Sequence, residues 1–161
     1  LYERAVQQPD AEVDRFRDLY HRVRGRDALT MREDFCGTAA LARAWCERGP
    51  EFRAYGVDLD LPTLEFGRAH NLTPKVAGRL KLIHGDVCDA KTPKVDLACA
   101  MNFSFCVFKE RGKLLEYLKH ARAGMTAKGV LLLEIYGGTE SMQELEEDRE
   151  YDGFTYIWEQ E

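Results

Sequence analysis

The 161-residue sequence predicts an α/β fold of three layers, a mostly parallel sheet with helices on both faces. Three observations carry that prediction. Short, apolar, β-branched segments alternate with helical patterns along most of the chain; no repeat or low-complexity linker interrupts them; and 45% apolar residues over this length suffice for one hydrophobic core but not two. Parallel strands need crossover connections, and a right-handed crossover lays its helix on a face of the sheet, so the alternation implies cover on both sides.

The elements follow in order. Over 10–24, Val13, Phe16, Leu19, Tyr20 and Val23 recur at helical spacing and form one apolar stripe. Strands are predicted over 28–35, 53–58, 80–84, 95–101 and 129–136. Between the first two, 38–48 reads as a helix closed by Gly49 and Pro50. A second helix follows Asp58, with Asp60 as its cap, Pro62 in its first turn, and Leu64, Ala69 and Leu72 among its apolar positions. A third, 110–125, carries Leu114, Leu115, Leu118 and Ala121 on one side before Gly124. The tail differs: 139–148 reads as a short acidic helix, and Phe154, Tyr156 and Trp158 alternate with Thr155, Ile157 and Glu159 as in a strand. The expected organisation is a helical segment 1–27, a core 28–138 and a tail 139–161.

Composition narrows the function. With 23 Lys and Arg against 28 Asp and Glu, the net charge of −5 disfavours a phosphate backbone, so nucleic acid is not an expected partner. The basic run from His21 to Arg26 is a local exception and reads as a solvated helix end. Five cysteines, an odd number without a C-x-x-C pair, point to reduced thiols and a cytoplasmic setting, without zinc or disulfides. The four histidines, His21, His70, His84 and His120, fall in different elements at no metal or triad spacing. No apolar run reaches the roughly 20 residues that span a bilayer. The chain starts at Leu1 and stops at Glu161 within a strand-like pattern, so a fragment is expected.

The chemistry sits at the strand ends. The first strand runs into Arg32-Glu33-Asp34-Phe35-Cys36-Gly37-Thr38-Ala39 and then a helix. A glycine there lets backbone approach a ligand, and amides at the helix start suit a phosphate or a carboxylate. An ordinary tight turn would read the same. The second strand ends at Asp58, 21 positions after Gly37, close to the ~20-residue offset at which a carboxylate accepts from ribose hydroxyls. Asp60, two residues before Pro62, is the better helix cap, which leaves Asp58 for the ligand. The third strand ends in His84-Gly85-Asp86-Val87, where a carboxylate can accept from an adenine amino group while a neighbouring amide donates to the ring. Gly, Asp and Gly-Asp at three successive strand ends form a more specific signal than any one of them.

Together these residues resemble class I S-adenosylmethionine-dependent methyltransferases, over about 32–136. Glu33 to Ala39 is similar to their glycine-rich first motif, Asp58 to their ribose-binding acid and Asp86 to their adenine-contacting acid. The family pattern is an acid, one residue, then three glycines at alternate positions; here Phe35 and Ala39 stand in place of the outer two. The resemblance implies a Rossmann-like sandwich lacking the last strands of the full fold. It also implies S-adenosylmethionine held by Glu33, Phe35, Cys36, Gly37, Thr38, Asp58, Leu59, Asp86, Val87 and Asn102, with the choice between Glu33 and Asp34 open. The fourth strand leads to Asn102, Phe103 and Ser104, which would face a methyl acceptor, with Tyr136 after the fifth strand beside the same crevice. A small-molecule acceptor is expected, since Asn102 does not begin the Asn-Pro-Pro-Tyr sequence that accompanies methylation of nucleobase or amide nitrogens. A nicotinamide-binding oxidoreductase is disfavoured because Gly37 is not followed by the rest of a dinucleotide fingerprint. A degenerate binding module without activity is the other alternative. The aromatic strand near Trp158, lacking a partner in this reading, would be an exposed edge able to pair with another copy.

Overall fold

The structure, a computed structural model, describes residues 3, 5 and 7–160. It divides into two compact units, 8–134 and a smaller one formed by 135–160 with the described residues before Gln8.

The larger unit runs α1 (Pro9–Arg24), β1 (Thr30–Asp34), α2 (Ala40–Glu47), β2 (Arg53–Asp58), α3 (Leu61–His70), β3 (Leu80–His84), β4 (Val95–Ala100), a 3₁₀ turn over Ser104–Val107, α4 (Arg111–Ala123) and β5 (Met125–Leu133). All five strands are parallel, in the order β3-β2-β1-β4-β5. The expected α/β class is therefore observed. Because the order reverses between β1 and β4, the crevice beyond their carboxyl ends is where such sheets bind ligands.

Side-chain alternation along β1 assigns the faces. Met31 packs with Val13, Phe16, Tyr20, Leu41, Trp45 and Leu64 from α1, α2 and α3. Tyr117 and Ala121 of α4 build a second cluster with Val57, Val87 and Ala100 on the other side. Trp45 is fully buried, donates from Nε1 to the Leu29 carbonyl at 3.3 Å and meets Phe52 edge-on. At the opposite end of β1 from the crevice, Asp96 acts as a staple. Its carboxylate accepts from the Leu29 and Thr30 amides at 3.1 and 3.3 Å, from the Thr30 hydroxyl, and from Arg26 at 2.7 Å. Arg79 similarly closes the α2–β2 connection by donating to the carbonyls of Cys46, Gly49 and Phe52, the cation lying near the negative end of α2.

Several boundaries differ from expectation for identifiable reasons. β1 is shorter than 28–35 because the Leu29 and Thr30 amides turn to Asp96, and Phe35 leaves the strand with a positive φ. β5 begins four residues before Gly129, where Met125 pairs with Val95 across an irregular register, and it ends at Leu133, short of Tyr136. In α3, Ala69 is exposed and Gly67 is buried in its stead; in α4, Leu115 is 47% exposed and Tyr117 holds the inward position. The basic run is occupied within the chain: His21 meets Asp27, Arg24 donates to the Gly129 carbonyl, and Arg26 pairs with Asp96.

In the smaller unit, the expected helix over 139–148 is instead a 3₁₀ turn at Glu140–Met142 followed by β6 (Leu145–Tyr151). β6 pairs antiparallel with β7 (Phe154–Gln160) through the turn Asp152-Gly153, with Gly153 at φ 89°. The second central position of this two-residue turn has a positive φ, which glycine adopts without steric cost. The aromatic strand thus has its own partner, contrary to the expectation of an unpaired one. Tyr136 belongs to this unit, donating to Gln160 Oε1 at 2.6 Å and meeting the Trp158 ring edge-on.

Candidate functional site

Among the described residues, every non-glycine position with positive φ lies at the carboxyl end of β1 or β4: Phe35, Ala39, Asn102 and Phe103. After β1 the left-handed conformation recurs at alternate positions, Phe35 at 59°, Gly37 at 52° and Ala39 at 61°. An L residue held there costs about 1–2 kcal/mol, so the surroundings must fix it. Phe35 is fixed by ring contacts to Phe108 and Tyr117, each at 6.0 Å, and Ala39 is fully buried. The loop turns back on itself through Ala39 N donating to the Cys36 carbonyl, while Cys36 N reaches the Val57 carbonyl on β2.

Neighbouring elements close on this loop. Asp58, at the end of β2, accepts from Gly37 N at 2.7 Å and from Asp60 N at 2.9 Å. Asp60 caps α3, accepting from the Thr63 hydroxyl at 2.8 Å. The division of roles between the two acids is thus realised on the capping side. Gly67 lets α3 lie against the loop, since a Cβ there would stand 2.5 Å from the Thr38 carbonyl oxygen, and Asn71 Nδ2 donates to that same oxygen. Gly56 in β2 makes room for the Cys36 side chain in the same way.

The remaining strand ends extend the row. Beyond β3, Asp86 is exposed; its carboxylate accepts from Cys88 N at 2.8 Å and its carbonyl from Asp89 N and Ala90 N, while Val87 packs inward. Leu59 is 69% exposed, with its carbonyl bonded to His84 Nε2. After β4, Asn102 at φ 50° and Phe103 at φ 44° turn the chain, and the Ser104 hydroxyl donates to the Met101 carbonyl. Since Asp34 and Ala100 are register partners, the Phe35–Ala39 and Asn102–Ser104 loops leave from adjacent strands.

No family model and no curated protein matches the sequence. Solved structures do. An amino pentose methyltransferase from Micromonospora echinaspora, solved with S-adenosylmethionine, superposes with a TM-score of 0.77 at 19% identity, covering 97% of this chain and 64% of its own. A sugar N-methyltransferase from a Streptoalloteichus species gives 0.75 at 18%, covering 97% and 61%. A glycopeptide N-methyltransferase bound to S-adenosylmethionine gives 0.68 at 16%, covering 96% and 67%. This chain has the S-adenosylmethionine-dependent methyltransferase fold. It spans about three fifths to two thirds of the length of those structures.

Within the methyltransferase fold, Glu33 and Asp34 point to opposite faces of β1. Asp34 is fully buried among Arg32, which donates at 2.9 Å, and Tyr117, whose hydroxyl donates at 3.0 Å; burial raises its pKa, with Arg32 and Tyr117 opposing. Glu33 is also buried and accepts from Ala42 N at 2.9 Å, at the third residue of α2. Ala39, the N-cap of α2, offers no side-chain acceptor, so a carboxyl from β1 caps the helix instead. Burial pushes the Glu33 carboxyl up from 4.5 to about 8, with Glu12, Asp58 and Asp34 adding to it. Burial likewise raises the thiols of Cys36, Cys46, Cys88 and Cys99, which keeps them protonated and non-nucleophilic.

The residues present fit an adenosyl ligand. Gly85 faces open space, and a Cβ on Gly37 would meet only Thr63 Cγ2, at an ordinary contact distance of 3.8 Å. Asp58 spends one acceptor site per oxygen and retains others, a carboxylate offering about four. Sequence reasoning missed Glu134, whose carboxylate accepts from Asn102 N beside the β4 loop. It falls inside an apolar strand pattern, and only its position at the strand end could have marked it.

Proposed function

We propose that this chain is the cofactor-binding part of an S-adenosylmethionine-dependent methyltransferase acting on a small-molecule acceptor. The observation that carries the reading is the alternation of left-handed residues at 35, 37 and 39, which keeps the backbone of a three-glycine loop although two of the glycines are absent.

In this reading Phe35, Cys36, Gly37 and Thr38 line the methionine part and Glu33 supports their loop. Asp58, with Leu59 beside it, accepts from the ribose hydroxyls. Asp86 accepts from the adenine amino group while the backbone at Val87 donates to the ring. S-adenosylmethionine, when bound, supplies an activated methyl group on a sulfonium, so the protein's work is to bind, align and exclude water. Asn102 touches the cofactor and, with Phe103 and Ser104, orients the acceptor. The sugar and glycopeptide substrates named for the similar structures favour a small polar acceptor over a nucleic acid, in keeping with the net charge of −5.

Thermal unfolding with and without S-adenosylmethionine tests the reading, because a ligand of the native state raises the midpoint. Asp86→Asn keeps an oxygen for Cys88 N but cannot also accept from adenine through its new NH₂ group. Loss of one charge-assisted bond predicts affinity weaker by about tenfold or more. A midpoint unmoved by the ligand in the unsubstituted chain would refute the proposal.

A further inference from the structure

We propose that Glu134 is a positioning residue for the β4 loop, its side chain standing in for a main-chain carbonyl where the sheet ends; this rests on the methyltransferase reading. Glu134 N donates to the Ala100 carbonyl at 3.2 Å, the rung that follows the last paired residues, Ala100 and Leu133. In a parallel ladder the next rung would run from Asn102 N to the Glu134 carbonyl. Here Asn102 N donates to the Glu134 carboxylate instead.

That substitution has a structural consequence. Asn102 and Phe103 are consecutive left-handed residues, a conformation that cannot continue a strand and that non-glycine residues adopt only when held. A side-chain acceptor can follow the amide as the chain turns, whereas a main-chain carbonyl is fixed by its own strand. The amide therefore stays bonded while β4 leaves the sheet. The turn it fixes aims Asn102, Phe103 and Ser104, the residues assigned to the methyl end of the cofactor and to the acceptor. Position, not charge, is the requirement, so a neutral oxygen at the same place should serve.

The test compares Glu134→Ala with Glu134→Gln in the full chain, using S-adenosylmethionine as the probe. Glu134 is exposed, so both variants should unfold within a few degrees of the parent. Two quantities are read: calorimetric affinity, and hydrogen exchange of the Asn102 amide. Loss of the acceptor predicts about tenfold faster exchange and about tenfold weaker binding in Glu134→Ala, with Glu134→Gln within about twofold of the parent in both. Parent-like affinity in Glu134→Ala would overturn the proposal, and so would a Glu134→Gln variant as weak as Glu134→Ala, because charge would then be the operative property. Failure of the parent chain itself to bind would refute the methyltransferase reading and this role with it; parent binding with unaffected variants would refute this role alone.

Discussion

Replacing Glu33 by Gln should remove a large part of the pH dependence of stability. The carboxyl is buried on β1 beneath the cofactor loop and titrates at about 8 in the folded chain against 4.5 as its ordinary value. Between those values the folded chain keeps a proton that the unfolded chain has released. Raising the pH therefore favours unfolding, by about 1.4 kcal/mol per pH unit and about 5 kcal/mol over the whole interval. The sign follows from the raised folded value: this contribution is fully present below pH 4.5 and lost as pH rises through 8. Gln mimics the protonated acid and keeps an oxygen for Ala42 N, so the cap of α2 survives. Urea unfolding of both proteins at pH 5, 6, 7 and 8 measures the difference. Glu33→Gln should gain on the parent by about 4 kcal/mol from pH 5 to pH 8. Parallel curves for the two proteins would refute the reasoning and place Glu33 in a wetter setting than the structure gives it.

Other perturbations follow from the same geometry. Asp96→Ala should destabilise by about 2–4 kcal/mol by orphaning the Leu29 and Thr30 amides and Arg26, measured by urea unfolding at pH 7. Burial pushes the Asp96 carboxyl up, but Arg26, Leu29 and Thr30 outweigh it and hold it below its usual range, so its contribution is lost only as pH falls below the ordinary carboxylate value, the reverse of Glu33. Tyr117→Phe removes a donor from the buried Asp34 and should cost about 1.5–3 kcal/mol in the same assay, with little loss of packing. Gly67→Ala drives a methyl toward the Thr38 carbonyl and should weaken S-adenosylmethionine binding although alanine favours helix by about 1 kcal/mol; calorimetry against a thermal-unfolding control separates the two effects.

Much of the fold was legible because strand-sized segments alternate with helical patterns along the chain, as a parallel sheet requires. β2 and β3 were bounded to the residue, since each ends in an acid or histidine that leaves the apolar run. β1 and β5 were not, because their ends are decided by distant partners: Asp96 draws off the Leu29 and Thr30 amides, and Val95 recruits Met125. The hairpin was missed although Asp152-Gly153 announces it, because the acidic stretch 139–148 read as a short helix. At the site, Asp58 was singled out by its offset from Gly37 and Asp86 by the Gly-Asp after the third strand, and both stand at carboxyl ends of the parallel sheet. The loop was visible only in part: the sequence shows Phe35 and Ala39 in place of two glycines, but not that both keep a positive φ, Phe35 held by its ring contacts to Phe108 and Tyr117. Glu134 was invisible because its role depends on a ladder that stops one rung early.

The most direct test of the central claim is calorimetric titration of this chain with S-adenosylmethionine and, separately, with NAD. The account predicts saturable binding of S-adenosylmethionine, weakened by both Asp58→Asn and Asp86→Asn, and no comparable binding of NAD. Absence of S-adenosylmethionine binding, or a clear preference for NAD, would contradict it.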